Sequence, residues 1–290
     1  MPIVSRQKVS KSTAKSPATK KGVRPPKITK ISKDGEAPVK MSLYGRSGTG
    51  KTVIWSTFPG PILVLVCSSI KKPGEWHSIS LKHRDKISKW EIESYEEVHQ
   101  AIEFAKSSDE FKTIVLDHAT GMHDLNLKEE TGMDELPVQR DWGVISREQY
   151  SAAGSRTKEI LREFLGLDYQ NIIVVSQERQ HKQGDDSDEP YSDLDIVPNI
   201  STDLPKAVSG WFNQSCNYVV RAFVQQKTGT KKIAGKSQTI KLKGQVDFCL
   251  MVGPHPAYWT KFRKPPEILL PESIKNPSYQ KIMKLVRGEE

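Results

Sequence analysis

The chain has 290 residues, 27% charged and 8% aromatic, enough apolar content for a sizeable core and too much for disorder throughout. No apolar run reaches the roughly 20 residues that a membrane-crossing helix needs, and no secretory leader opens the chain, so a soluble, cytoplasmic protein without a membrane partner is expected. The three cysteines, Cys67, Cys216 and Cys249, are too scattered for a disulfide framework or a zinc site.

The net charge of +9 is concentrated in residues 1–34, read as a disordered basic arm. Ten Lys or Arg and no acid fall within residues 1–33; removing those ten from the chain's 44 leaves 34 against 35 Asp and Glu, a balance of −1. A Ser/Thr/Lys/Pro-rich stretch buries too little apolar surface to offset its ordering entropy. It fits a charge clamp on nucleic-acid phosphates, or equally a solubilising leader.

Residues 35–272 are read as the globular domain and 273–290 as a C-terminal helix packed on it or extending from it. VKMSLYG (39–45) has the look of a buried strand, followed by a glycine-rich loop and a helix from Gly50 to about Thr57. PILVLV (61–66) and the more polar KWEIES (89–94) continue as strands. Residues 95–108 carry apolar side chains at helical spacing, with Ser94 as N-cap. FKTIVLD (111–117) is a strand ending in an acid, 141–167 reads as one long helix, and NIIVVSQ (171–177) is the next buried strand. Such apolar runs alternating with helices predict an α/β fold with a mostly parallel central sheet covered on both faces. Residues 178–205 read as a long polar loop, followed by a short helix around Lys206–Trp211. Three further runs, 217–226, 245–253 and 257–263, are separated by turn signals and predict antiparallel strands added at the C-terminal end. Residues 276–288 close the chain as an amphipathic helix.

Gly45-Arg46-Ser47-Gly48-Thr49-Gly50-Lys51-Thr52 matches the phosphate-loop (Walker A) pattern G-x-x-x-x-G-K-[ST] in full. Glycines let backbone N–H groups converge on phosphates, and the following helix adds its positive end. Lys51 is expected on the β- and γ-phosphates and the Thr52 hydroxyl on Mg²⁺, so ATP and Mg²⁺ are the predicted cofactors. A chance match in a chain of this length is expected roughly one time in a hundred. Asp117, at the end of TIVLD, is the candidate partner acid over Mg²⁺; an N-cap for the segment that follows is its other reading.

LYGRSGTGKT, STFPGPILVLV, TIVLDHAT, RDWG, IIVVSQE and TKFRKP together resemble the RecA-like P-loop ATPases. More narrowly they resemble short phage-encoded members that act in single-strand annealing and recombination, over roughly residues 38–265. The resemblance implies a RecA-like ATPase in the bacterial host cytoplasm that binds single-stranded DNA and couples nucleotide state to assembly. It also implies recombination or single-strand-binding proteins as partners. Proteins of the RadA and KaiC kind insert a Lys-x-Arg pair into the neighbouring subunit's site; here that is Lys261 and Arg263, and it implies a homo-oligomer with shared sites. Strand alternation puts both on one face, where they would neutralise charge on the γ-phosphate, or else lie solvated on an edge. A helicase, helicase loader or packaging motor, and a nucleotide-gated module without DNA chemistry, are the alternatives.

The strand after the loop helix ends in Val66-Cys67-Ser68-Ser69, without the acid usual in the family, and Asp117 is followed by His118. Glu75, Asp141 and Glu178 remain as candidates to activate water, with Ser176 or Gln177 as the γ-phosphate sensor, so a slow, DNA-stimulated ATPase is expected. The acidic stretch 179–204 would repel a phosphate backbone. DNA contact is instead expected from the basic arm and from Lys227, Lys231, Lys232 and Lys236 in a 227–236 turn, with Trp211 or Phe212 for stacking or in the core.

Overall fold

β1 (Val39–Tyr44) shows how this sheet is built. Met41 and Leu43 join one apolar cluster while Tyr44 joins another, as strand alternation requires when both faces are covered. β5 (Asn171–Ser176) does the same, with Ile172 and Val174 on one side and Ile173 and Val175 on the other. Their neighbours are β2 (Ile62–Cys67), β3 (Ile87–Ile92) and β4 (Thr113–Asp117). The computed structural model describes residues 38–67, 74–136, 144–180, 199–233 and 236–289, without the side chains of Glu75 and of 231–240. The basic arm, Asp141 and most of the acidic stretch lie outside the described residues.

The remaining strands are β6 (Glu178–Gln180), β7 (Ile200–Thr202), β8 (Tyr218–Ile233), β9 (Lys236–Met251), β10 (Lys261–Phe262) and β11 (Ser273–Lys275). The main sheet runs β11-β9-β8-β1-β5-β4-β2-β3, with β10 on β8, and β6 pairs with β7 apart from it. From β3 to β8 every pairing is parallel; β9, β10 and β11 add antiparallel pairs. The expected fold class is the one observed, with one adjustment. The run beginning NYVVRAFV is the parallel neighbour of β1, and antiparallel pairing starts one strand later.

Helices α1 (Lys51–Ser56) and α7 (Tyr279–Arg287) cover one face, where Trp55, Phe58, Ile282 and Met283 meet Met41, Val64, Val115 and Ile173. The other face is covered by α3 (Tyr95–Ser107), α4 (Ala119–Thr131), α5 (Arg147–Leu165) and α6 (Lys206–Ser215), through Ile102, Met122, Phe164 and Phe212 among others. The short α2 (Leu81–Arg84) precedes β3. No described helix is long and apolar enough to cross a membrane.

Three local expectations are corrected. α5 begins at Arg147, because Ser146 and Gln149 form a reciprocal capping box that stops the helix there. The polar 178–205 segment is not loop throughout, since its two ends pair as β6 and β7. Within the 227–236 stretch, expected as a turn, the described residues are strand: 227–233 belong to β8 and Lys236 opens β9. Phe212 is fully buried in the core, so it offers no stacking face.

Candidate nucleotide site

The glycine loop leaves β1 at the carboxyl end of the parallel strands, where open α/β sheets place ligands. Gly45 has φ +154, and a β-carbon there would stand 2.2 Å from the Ala222 carbonyl oxygen on β8. That close approach lets the loop fold back over the sheet edge and admits only glycine. Gly48 (φ +77) and Gly50 (φ +85) make the further turns that bring the chain into α1.

Lys51 is 8% exposed. Its ammonium donates to the Gly45 carbonyl at 2.7 Å and the Arg46 carbonyl at 2.9 Å, and lies 3.4 Å from Gln177 Oε1. Thr49 Oγ1 donates to the Arg46 carbonyl at 2.8 Å and pins the loop from inside. The loop is thus a closed ring of main chain around a buried cation. A phosphate oxygen can replace the carbonyls, so the donor set fits a polyphosphate. Ser47 and Gly48 are the exposed crest of the loop, and Thr52 is the second residue of α1.

Asp117 ends β4, and its Oδ2 accepts from Trp55 Nε1 of α1 at 3.1 Å, which draws the strand end to the loop helix. It does not cap α4. That place belongs to His118, whose Nδ1 accepts from the Gly121 N–H at 2.8 Å. Burial, aided by the Lys51 charge, pushes the His118 imidazole down to about 4, so it is neutral at pH 7. Thr52 and Asp117 supply the hydroxyl and carboxylate oxygens that a hard cation such as Mg²⁺ prefers. Among the described residues no larger cluster of metal-ligating side chains occurs.

Glu178 follows β5 and Gln177, with a side chain only 6% exposed. Arg221 Nε donates to it at 2.6 Å and Arg221 Nη2 at 3.3 Å, while Arg46 Nε of the glycine loop reaches Oε1 at 3.3 Å. The Arg221 guanidinium lies 3.8 Å from the Tyr258 ring centroid. The Tyr44 hydroxyl donates to the Trp259 carbonyl at 2.9 Å, and burial lifts it well above the ordinary phenol range. Ser176 is fully buried with no hydrogen-bond partner for its hydroxyl among the described residues, so Gln177 is the polar neighbour of Lys51.

Lys261 and Arg263 are elsewhere. Lys261 pairs with Val219, and its ammonium donates to the Gln214 carbonyl at 2.7 Å, at the C-terminal end of α6. Arg263 Nη1 donates to Asn217 Oδ1 at 3.1 Å, and Asn217 N–H in turn bonds the Lys40 carbonyl near the start of β1. Lys40 to Gly45 is five strand residues, about 16 Å. The pair therefore sits at the opposite edge of the sheet from its own glycine loop.

Residues 37–263 match the family described as AAA domain. The chain belongs to the AAA domain family. At that level it is a P-loop ATPase-family domain, a nucleotide-binding fold whose members commonly use Mg²⁺. Among curated proteins none matches this chain. Among the many solved structures that resemble it are two at low identity. One is the flagellar accessory protein FlaH from Methanocaldococcus jannaschii, with TM-score 0.36, 10% identity, and 82% of this chain and 86% of that chain covered. The other is the RadB recombinase, with TM-score 0.38, 14% identity, and coverage of 75% and 90%. The residue of this site that sequence reading of the AAA domain missed is Arg221, the ion-pair partner of Glu178. A guanidinium inside the apolar run NYVVRAFV was itself the signal, since such a charge needs a buried partner.

Proposed function

We propose that the protein is a slow ATPase of phage-type DNA recombination, which binds single-stranded DNA and couples its nucleotide state to self-assembly. The observation that carries the ATP part is Lys51 held by the carbonyls of its own glycine loop, beside Gln177 and the Trp55–Asp117 pair. Lys51 would exchange those carbonyls for β- and γ-phosphate oxygens, while the loop N–H groups of 46–52 donate to the same triphosphate. Thr52 and Asp117 would hold Mg²⁺, which neutralises charge on the β- and γ-oxygens when bound. Gln177 takes the γ-phosphate sensing role.

Glu178 is the candidate water activator, but its carboxylate oxygens are already taken up by hydrogen bonds from Arg221 and Arg46. That favours slow turnover, raised when a strand or a neighbouring subunit loosens the pairing. Lys261 and Arg263 can serve a nucleotide only in another copy, so a trans role for them makes assembly a condition of turnover. The test is the ATPase rate with and without oligothymidine, with particle mass recorded alongside. Stimulation together with ATP-dependent growth in mass is expected. A rate indifferent to the strand would leave a nucleotide-gated module, and ATP-driven strand unwinding would indicate a motor.

A further inference from the structure

β8 is parallel to β1, with Tyr44 opposite Arg221, and it continues past the point where β1 gives way to the glycine loop. From Val224 outward, β8 and β9 have only each other as ladder partners among the described residues. They form a two-stranded ribbon whose outer part, Val224 to Ile233, spans nine strand steps, about 30 Å. Val224, Lys227, Thr228, Lys241, Lys243 and Val246 on it are exposed. The register slips between Gln226 and Thr228, so that Thr228 faces Lys241 while Gln226 faces Val246. Gly244, at φ +74, takes up the extra chain.

Between Phe223 and Val246 the sequence holds Lys227, Lys231, Lys232, Lys236, Lys241 and Lys243 and not one Asp or Glu. A bare hairpin is marginal in water, and a single-sign charge repels itself, so this ribbon is built to meet an anion. We infer that the β8–β9 ribbon is a nucleic-acid-binding arm that grips the phosphate backbone of a single strand without reading its sequence. The inference rests on the reading of the protein as a strand-binding ATPase and names the surface that does the binding.

The chemistry favours this partner over others. Lysines bind phosphates as point charges, and the Gln and Thr side chains between them add neutral donors to phosphate and sugar. The ribbon holds no arginine for bidentate guanine contacts, so sequence preference is not expected. The exposed apolar residues described on it, Val224, Val246 and Phe248, gather at its root, whereas a segment seated in a bilayer surface carries them along its length. At its root, Phe248 of β9 touches the glycine loop, its ring 3.1 Å from where a β-carbon on Gly50 would stand. A strand held on the ribbon is thereby coupled to the nucleotide loop, and the coupling must be reciprocal.

The experiment uses the full chain and labelled oligothymidine, titrated across a salt series with and without ATP. Wild type is compared with the triple variant K227A/K241A/K243A and with a variant lacking residues 1–33. Each lysine on a phosphate contributes about 0.7 to the slope of log affinity against log salt for a single strand. The triple variant should therefore lose about two from that slope and about tenfold or more in low-salt affinity, with its basal ATPase rate unchanged. If the triple variant keeps the wild-type slope while the arm deletion loses it, the ribbon is overturned and strand binding stands. If wild type shows no salt-dependent binding, both fall. Stronger binding to duplex, or to phosphatidylserine vesicles, than to the single strand overturns the inference as stated.

Discussion

The two edges of the sheet use the same residue types to opposite effect. At the carboxyl edge, Lys51 is buried among the glycine-loop carbonyls, Asp117 holds Trp55, and Glu178 is held by Arg221 and by the exposed Arg46. At the other edge, Lys261 and Arg263 touch a main-chain carbonyl and an amide oxygen, and neither is buried. The first arrangement is preorganised, with each charge already answered inside the chain. In the second the cations are tethered lightly and face outward, the condition for serving another copy.

Mutations should separate the two edges by kind of effect as well as by size. Gly45→Ala forces an L side chain into φ +154 and against the Ala222 carbonyl. Strain and overpacking together should cost about 4 kcal/mol, read as a lower midpoint in chemical denaturation. A midpoint equal to wild type would mean the loop does not sit against β8. Glu178→Ala leaves Arg221, 11% exposed, without its carboxylate, for a loss of about 3 kcal/mol. Were Glu178 solely a proton acceptor, turnover would fall with stability intact.

Acid should also weaken the packed edge. His118 and His123 are both held near 4 by burial, below the ordinary 6.5, so unfolding takes up two protons as pH falls from 6.5 towards 4. Burial moves Asp124 the other way, from 3.8 to about 6, so the folded state binds one extra proton below pH 6. One proton remains in favour of the unfolded chain, and stability should fall by about 1.4 kcal/mol per pH unit between 6 and 4. A flat or rising profile over that window would contradict the assigned burial. Arg263→Ala, at the open edge, should change stability by less than about 1 kcal/mol. It should still lower ATP-dependent assembly or turnover, and if both match wild type the trans role is gone.

The packed edge was largely legible in the sequence, and the reason is burial. Strands covered on both faces must be continuous apolar runs, so β1, β2, β4 and β5 stood out, and the glycine loop has a pattern dictated by backbone geometry. What escaped was set by single contacts. α5 was started too early because Val144 and Ile145 carry the apolar period onward, although Ser146 and Gln149 already spelled the cap. The β8–β9 ribbon passed as a turn because it has no core to impose alternation and contains Gly229, opposite Ile240. β6 and β7 are three residues each, too short for any period. Pairing between distant residues, such as Arg221 with Glu178, leaves no local trace.

Nucleotide titration of the wild-type chain and Lys51→Ala, with Mg²⁺ present, tests the central claim most directly. ATP should bind the wild type and lose about 100-fold or more in affinity in the variant, because the buried ammonium inside the loop is its main cationic contact. Equal affinity in both proteins would show that the glycine loop does not cradle the triphosphate.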